Sequence, residues 1–285
     1  MMNEAYINLI ELDSWNQFED EIHKIEQFRA ERETKARRNI NAPLFRGLGD
    51  SKWGLETTLE RSYPRERCDD TRSLRRYYRT VRATKAAIET LTDKHWNGLP
   101  DVPTFEELLQ NKSMLPPNVL FNNQIEVYEY LVHLRHHGFP SPLLDWSASP
   151  YVAAFFAFDN PAPVAERVSV FVILQDTLHG GSNSAHLFIV GPYLRTHPRH
   201  LFQQCNYSVC VMEANADFLF CPHDGGMNDA MGPYGQLFKI TLPITDRLLA
   251  LKKLDLMNIN AFSLFGSEDS LVRTVSRREC LFKSW

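Results

Sequence analysis

Long apolar runs are missing from this sequence. No stretch approaches the roughly 20 apolar residues that a membrane-spanning helix needs, and residues 1–6 lack the basic start of a secretory signal. We therefore predict a cytoplasmic protein without membrane contact. Apolar residues make up 44% and charged residues 23% of the 285, as in ordinary globular proteins, and we favour a single domain over residues 1–285.

Cysteine is scarce and shows no pairing pattern. The number of cysteines is odd, they are widely scattered, and none forms a C-x-x-C pair, so neither a disulfide framework nor a zinc site is predicted. We expect reduced, structural thiols at all five: Cys68, Cys205, Cys210, Cys221 and Cys280.

The signatures of several enzyme classes are also missing. The chain has no Walker A motif, no G-x-G-x-x-G and no G-x-S-x-G, which argues against a P-loop nucleotidase, a Rossmann dehydrogenase and an α/β-hydrolase. Among His133, His136 and His137, spacings of three and four place two on one helix face, but a third ligand and an H-E-x-x-H pattern are missing, so no metal site is predicted. We expect His137 to make a hydrogen bond that orients the loop after it.

The net charge of -4 gives no overall attraction for nucleic acid, but basic residues are concentrated locally. Residues 29–38 hold five basic side chains, and residues 61–82 hold eight arginines. These segments are either solvated helix faces or a local phosphate-binding surface.

The spacing of apolar residues predicts a helical first half. Apolar side chains recur at three- and four-residue steps from Phe18 and indicate a helix, with Ser14 and Gln17 before it at the spacing of a capping box. A short strand is predicted at 44–47, further helices at about 70–91, at 122–136 and from Pro150, and a helical insert at about 65–135.

The second half changes character. Short runs rich in Val, Ile, Leu and Phe predict strands at 168–174, 187–190, 208–212 and 236–242, before a helical stretch at 245–256. The sum is an α+β fold, a mixed β core with a helical N-terminal half packed around it.

Two segments carry the candidate chemistry. Arg46 lies between a strand and a glycine-containing turn, where its planar guanidinium suits a phosphate or carboxylate; the alternative is a structural pair with Asp145. Ser147 and Ser149 precede a helix opened by Pro150, where they can bind an anionic or hydroxylated ligand or, in the case of Ser149, simply cap the helix. Later acceptors are less distinctive: Gln203, Gln204, Glu268 and Asp269.

In three successive motifs the chain resembles the FRG domain: Phe45-Arg46-Gly47, then His137-Gly138-Phe139-Pro140, then Leu143-Leu144-Asp145-Trp146-Ser147. The likeness spans roughly residues 5–275, and 199–204 resembles the family's later Arg-and-Gln element. Leu48, His137 and Pro142 stand where the family usually has Gln, Tyr and Arg.

The FRG layout is similar to that of ADP-ribosyltransferases, by analogy of fold. The resemblance therefore implies an NAD-dependent ADP-ribosyltransferase that modifies RNA or DNA, as a toxin or anti-phage effector, with no metal. The implied catalytic residues are Arg46, Ser147, Gln204 and Glu268, and the implied NAD-binding residues are Arg46, Gly47, His137, Asp145, Ser147 and Ser149.

Other functions remain open. The acceptor can be a protein, or the same pocket can serve a non-catalytic sensor that binds a nucleotide or a peptide. The distinguishing feature is an acid or amide opposite Arg46, which a transferase needs and a binding module does not. Because a transferase aimed at the cell's own nucleic acid would be toxic, we expect an antitoxin or regulatory protein as a further partner.

Overall fold

A mixed eight-stranded sheet forms the centre of the computed structural model, which describes residues 7–37, 39–62, 72–110, 125–174, 185–214, 217–223 and 236–283. The strand order is β1-β8-β4-β2-β3-β6-β5, with β7 paired to β6. β1 and β8 are parallel, and the other pairs are antiparallel. The strands are β1 (Ile7–Glu11), β2 (Leu44–Leu48), β3 (Leu144–Ser147), β4 (Arg167–Leu174), β5 (His186–Val190), β6 (Cys205–Ala214), β7 (Asp217–Phe220) and β8 (Gln236–Pro243).

Helices flank the sheet, and the five that were placed from the sequence, after Phe18, at about 70–91, at 122–136, from Pro150 and at 245–256, lie close to their predicted positions. Short helical turns also occur at Trp15–Gln17, Ile244–Asp246 and Arg278–Phe282. The α-helices are α1 (Phe18–Ala36), α2 (Thr58–Ser62), α3 (Leu74–Thr92), α4 (Val102–Gln110), α5 (Ile125–His136), α6 (Pro150–Asp159), α7 (Arg199–Phe202), α8 (Arg247–Leu256), α9 (Ala261–Phe265) and α10 (Glu268–Arg277).

The prediction of an α+β fold is confirmed, as are the helix after Phe18 and the helix opened by Pro150. The capping box at Ser14 was wrong. The Ser14 side chain makes no cap hydrogen bond, and the Gln17 side chain instead accepts a hydrogen bond from the Asp13 backbone N–H at 2.8 Å. The predicted insert at 65–135 contains α3, α4 and most of α5, while residues 63–71 and 111–124 lie outside the described part of the chain.

Two separate hydrophobic clusters cover one face of the sheet. The first, here called the α6 cluster, packs α6 and α8 on β8, β4 and β2; the second, the α5 cluster, packs α3, α4 and α5 on β6. Alternate residues of a strand point to opposite faces, and the pairing of Phe45 with Ser147 sets both clusters on the same face. The α6 cluster includes Phe45, Ala154, Phe158, Val170 and Ile240, and the α5 cluster includes Tyr78, Phe105, Tyr130, Tyr207 and Val209.

The other face carries a smaller cluster that crosses the middle of the sheet. Leu44 and Phe171 on one side pack with Leu144 and Trp146 on the other. The indole N–H of Trp146 donates to Ser208 Oγ at 2.7 Å, so this buried polar group is satisfied. No helix within the described ranges is long and apolar enough to cross a membrane.

Candidate functional site

The sheet is joined at its centre by a narrow contact, here called the seam. β2 and β3 share a single register pair, Phe45 opposite Ser147, whereas β4 and β8 pair over eight residues. Helix α6 packs against β2, β3 and β4 and so covers the seam on one face. The Arg46 and Asp145 positions lie beside this contact, where the two predicted motifs meet.

Gly47 lets α6 approach the seam closely. A Cβ built on Gly47 would lie 1.8 Å from the Ala153 carbonyl oxygen and 2.7 Å from the Ala157 nitrogen, both of them backbone atoms of α6. Any side chain at this position would therefore push the helix away from β2. The glycine after Arg46 thus has a packing reason that needs no ligand.

Arg46 reaches across the seam to β3. Its Nη1 donates to the Asp145 carbonyl oxygen at 2.7 Å, while its buried Nε has no hydrogen-bond partner among the described residues. Burial lowers the pKa of Arg46 to about 10, against the opposing effect of the Asp145 charge, so the guanidinium remains positive at neutral pH. Arg46 and Ser147 both line the cavity described below, although the register turns their side chains toward opposite faces.

The carboxylate of Asp145 is bound by Arg135 at the end of α5, not by Arg46. Arg135 donates from Nε to Oδ1 at 2.5 Å and from Nη2 to Oδ2 at 2.7 Å, which is the two-pronged geometry of strong Arg–carboxylate pairs. Burial alone would raise the pKa of Asp145, but the Arg135 charge and hydrogen bonds hold it below its usual value. The Asp145 side chain is 39% exposed, so a charged carboxylate remains accessible.

Ser147 and Ser149 have structural partners. The Ser147 hydroxyl donates to the Gln203 carbonyl oxygen at 2.8 Å and accepts from the Ser149 N–H at 3.0 Å. The Ser149 side chain caps α6 by accepting from the Val152 N–H. The Gln203 amide in turn donates to the Leu264 carbonyl oxygen at 3.0 Å. This network ties β3, α6 and the loop before β6 together.

A cavity of about 430 Å³ opens beside the seam. It lies within the range typical of small-molecule sites and combines cationic side chains with aromatic rings. The lining includes Arg46, Arg135, His136, Asp145, Ser147, Arg199 and Gln203, with Trp53, Phe156 and Phe265 as aromatic members.

Arg199 at the start of α7 is a second cation of this cavity. Its Nε is buried and has no hydrogen-bond partner in the described part of the chain. The guanidinium lies 5.2 Å from the centre of the Phe265 ring, and Arg273 lies 5.5 Å from the same ring, within cation–π range. Phe265 therefore helps to orient Arg199 at the cavity wall.

Four of the residues predicted for the site lie elsewhere among the described residues. Gln204 is exposed, with its carbonyl oxygen accepting from the Ala148 N–H, and Glu268 is exposed in the first turn of α10. His137 is exposed with its ring against that of His133, and Ser149 caps α6. None of the four lines the cavity, whereas Arg46, Gly47, Asp145 and Ser147 do.

Two arginines of the cavity, Arg135 and Arg199, were not predicted as individual site residues. Arg135 follows an apolar helix stripe and precedes two histidines, so nothing local distinguishes it from a solvated helix end. The Arg199 segment was noted only through its family likeness. Gln203, which was the alternative to Gln204 in the prediction, lines the cavity, and so does Cys205.

Four cysteines lie in the described part of the chain, and none of them forms a disulfide with another: Cys205, Cys210, Cys221 and Cys280. The Cys221 thiol lies 3.0 Å from Cys210 Sγ. Cys68 lies outside the described residues. Burial raises the pKa of the Cys205 thiol to about 12, which makes it a poor nucleophile despite its position in the cavity. No group of His, Cys, Asp and Glu suited to a metal ion occurs within the described ranges.

Comparison with known proteins bears on part of the chain. No curated protein and no solved structure matches it. The model of the FRG domain matches residues 41–166, which hold the FRG motif at Arg46, the end of α5, and β3 with α6. Over that segment, which contains both strands of the seam, the chain is similar to the FRG domain family.

Proposed function

We propose that the cavity binds NAD and that the chain transfers ADP-ribose from NAD to a nucleic acid. The observation that carries this proposal is the state of Arg46: a buried, positive guanidinium with an unpartnered Nε at a cavity wall, bonded to a carbonyl group and not to a carboxylate. Burying this charge is costly and the Asp145 charge offsets only part of the cost, so an anionic ligand there would be stabilising.

Arg46 and Arg199 together suit a ligand with two phosphates. Each guanidinium is a planar fork of N–H donors, and each keeps a buried Nε without a partner among the residues described. The pyrophosphate of NAD offers oxygens to both forks. The aromatic side chains add flat surfaces for the bases, since Trp53 is 48% exposed at the cavity and Phe265 already stacks with cations.

Asp145 is the carboxylate that this cavity offers to the reaction. When the glycosidic bond of NAD breaks, the nicotinamide leaves with the bonding electrons and positive charge develops on the ribose. A nucleophilic atom of the acceptor then bonds to the ribose carbon and loses its proton. An ionised Asp145, held in place by Arg135, is suited to stabilise the developing charge.

A second candidate is a sensor that binds a nucleotide without transferring it. The engagement of the Ser147 hydroxyl by Gln203 and Ser149 favours this candidate, because its only proton is already donated and it has none left for a ribose oxygen. The position of Gln204 and Glu268 away from the cavity points the same way. The two candidates share the ligand and differ in whether nicotinamide is released.

The test combines binding, bond cleavage and transfer. NAD binding is measured by calorimetry, nicotinamide release by chromatography, and transfer by label from adenine-labelled NAD on RNA, DNA and protein acceptors. Arg46→Lys keeps the charge but loses the fork, so we expect at least about a tenfold loss of transfer with the fold intact. Arg79→Lys, at an arginine that pairs with Glu106 outside the cavity, is the matched control.

The outcomes separate the candidates. Transfer that survives Arg46→Lys unchanged refutes the assignment of Arg46. Binding that depends on Arg46, without nicotinamide release on any acceptor, supports the sensor. If label appears on protein and on neither RNA nor DNA, transfer of ADP-ribose is supported and the acceptor is a protein instead of a nucleic acid.

A further inference from the structure

A series of hydrogen bonds leads from the exposed Pro192 through the buried side chains of His200 and Tyr207 to the cavity. It starts at the Pro192 carbonyl oxygen, 2.9 Å from His200 Nε2, and continues from His200 Nδ1 to the Tyr207 hydroxyl at 3.2 Å. The hydroxyl lies 3.2 Å from His136 Nε2, and His136 lines the cavity. Tyr207 also stacks on the His200 ring, with 13° between the ring planes.

The carbonyl group gives this series a direction. A carbonyl oxygen can only accept, so His200 Nε2 carries a proton. With that single ring proton, His200 Nδ1 is an acceptor, and the Tyr207 hydroxyl donates to it in preference to the Cys205 sulfur, a weaker acceptor that also contacts the hydroxyl. The lone pairs of the Tyr207 oxygen are left to accept from His136 Nε2, which fixes the proton of His136 on that nitrogen and leaves Nδ1 as an acceptor.

The surroundings keep His136 neutral. Burial lowers its pKa to about 4, with the Asp145 charge opposing this effect and Arg135, His197 and Arg199 reinforcing it. Burial also raises the pKa of Tyr207, so its hydroxyl keeps its proton at neutral pH. At pH 7 the cavity therefore contains a histidine that accepts hydrogen bonds beside arginines that only donate them.

We infer that His136 is a ligand-binding residue whose Nδ1 accepts a hydrogen bond from a hydroxyl or amide N–H of the bound nucleotide, and that Tyr207 and His200 are positioning residues that fix its tautomer. This inference rests on the proposed binding of NAD, whose ribose hydroxyls and carboxamide supply such donors. It also gives the cavity a specificity that its arginines lack, because inorganic pyrophosphate would satisfy the arginines but has neither ribose hydroxyls nor a carboxamide.

Two substitutions at His136 separate its two nitrogens. Asn places its amide oxygen near the position of Nδ1 and so retains the acceptor, while Gln places its amide near Nε2 and retains only the contact with Tyr207. We expect His136→Gln to weaken NAD binding by about tenfold or more and His136→Asn by about threefold or less, in line with a hydrogen bond of roughly 1.4 kcal/mol. Pyrophosphate binding should change little in either variant.

Tyr207→Phe tests the positioning role through a spectroscopic signature. In the wild type, ¹⁵N spectra of histidine-labelled protein should show His136 protonated at Nε2 and unprotonated at Nδ1, with His136→Gln identifying its signals. Tyr207→Phe removes the fixed acceptor, so we expect a mixture of tautomers and weaker NAD binding. A purely structural tyrosine would alter stability without changing the tautomer.

Each outcome decides one of the two claims. If the wild-type His136 carries its proton on Nδ1, if Gln and Asn weaken NAD binding equally, or if Tyr207→Phe changes neither tautomer nor affinity, the inference fails while NAD binding stands. If wild-type protein does not bind NAD at all, the proposed function and the inference both fail.

Discussion

Acid should destabilise this protein well above the pH at which its carboxylates titrate. Burial lowers the pKa of three histidines far below the 6.5 of an unfolded chain: His133 and His136 to about 4 and His223 to about 3. A histidine with a depressed pKa in the folded state takes up its proton more readily when unfolded. Its contribution to stability is therefore present above pH 6.5 and is lost as the pH falls toward 4.

The size of the effect follows from these pKa values. Between pH 7 and pH 5 each of the three side chains should lower the free energy of unfolding by about 2 kcal/mol, or on the order of 5 kcal/mol together. That is a large part of the 5–15 kcal/mol typical of a folded domain. Because carboxylates titrate mostly below this window, the histidines dominate the change.

Urea unfolding at half-unit pH steps measures the slope directly. His136→Gln removes one of the three groups and should reduce the loss between pH 7 and pH 5 by about a third, whereas His95→Gln, at an exposed position, should leave it unchanged. A free energy of unfolding that is flat from pH 7 to pH 5 would refute the reasoning. So would an equal slope in wild type and His136→Gln.

Two further substitutions test the architecture of the seam. Gly47→Ala should lower the free energy of unfolding by at least about 2 kcal/mol in thermal unfolding, because its Cβ would overlap the Ala153 carbonyl oxygen. Gly138→Ala is the control: its φ is 86°, but a Cβ there would have nothing within 4 Å, so the loss should be about 1 kcal/mol. Equal losses in the two variants would contradict the packing argument. Asp145→Asn leaves Arg135 without its counter-ion and should cost about 2 kcal/mol in urea unfolding, below the 3–5 kcal/mol of a deeply buried pair, because the Asp145 side chain is 39% exposed. A loss no larger than that of Glu279→Gln, at the exposed pair with Lys283, would show that the Arg135 pair adds nothing.

Local patterns predicted the elements of this fold better than their contacts. The apolar stripe from Phe18 gave α1, and Pro150 after Ser149 gave the start of α6, because both depend on residues a few positions apart. The cap at Ser14 was wrong because the Gln17 amide has an equally close alternative in the Asp13 N–H. Competition at this range depends on backbone geometry that a four-residue pattern does not contain.

The site was predicted in part for the same reason. Arg46 and Asp145 were found because each belongs to a short local motif, yet the partner of Asp145 is Arg135, from a helix that no local pattern connects to it. Arg199 and Phe265 reach the cavity from segments more than 150 residues after Arg46 in the sequence. Such long-range contacts depend on strand order and register. The pairing of β3 with β6 brings Arg199 close to the cavity.

We expect the two sides of the narrow seam to behave as two cooperative units, although α6 and the cluster on the other face bridge them. Four strands with the α6 cluster form one unit and four strands with the α5 cluster form the other, each with its own hydrophobic cluster. In native-state hydrogen exchange such units open with separate free energies. A nucleotide held by Arg46 from one unit and by Arg199 from the other would couple their opening. Ligand binding in the cavity would therefore slow amide hydrogen exchange in both halves of the sheet.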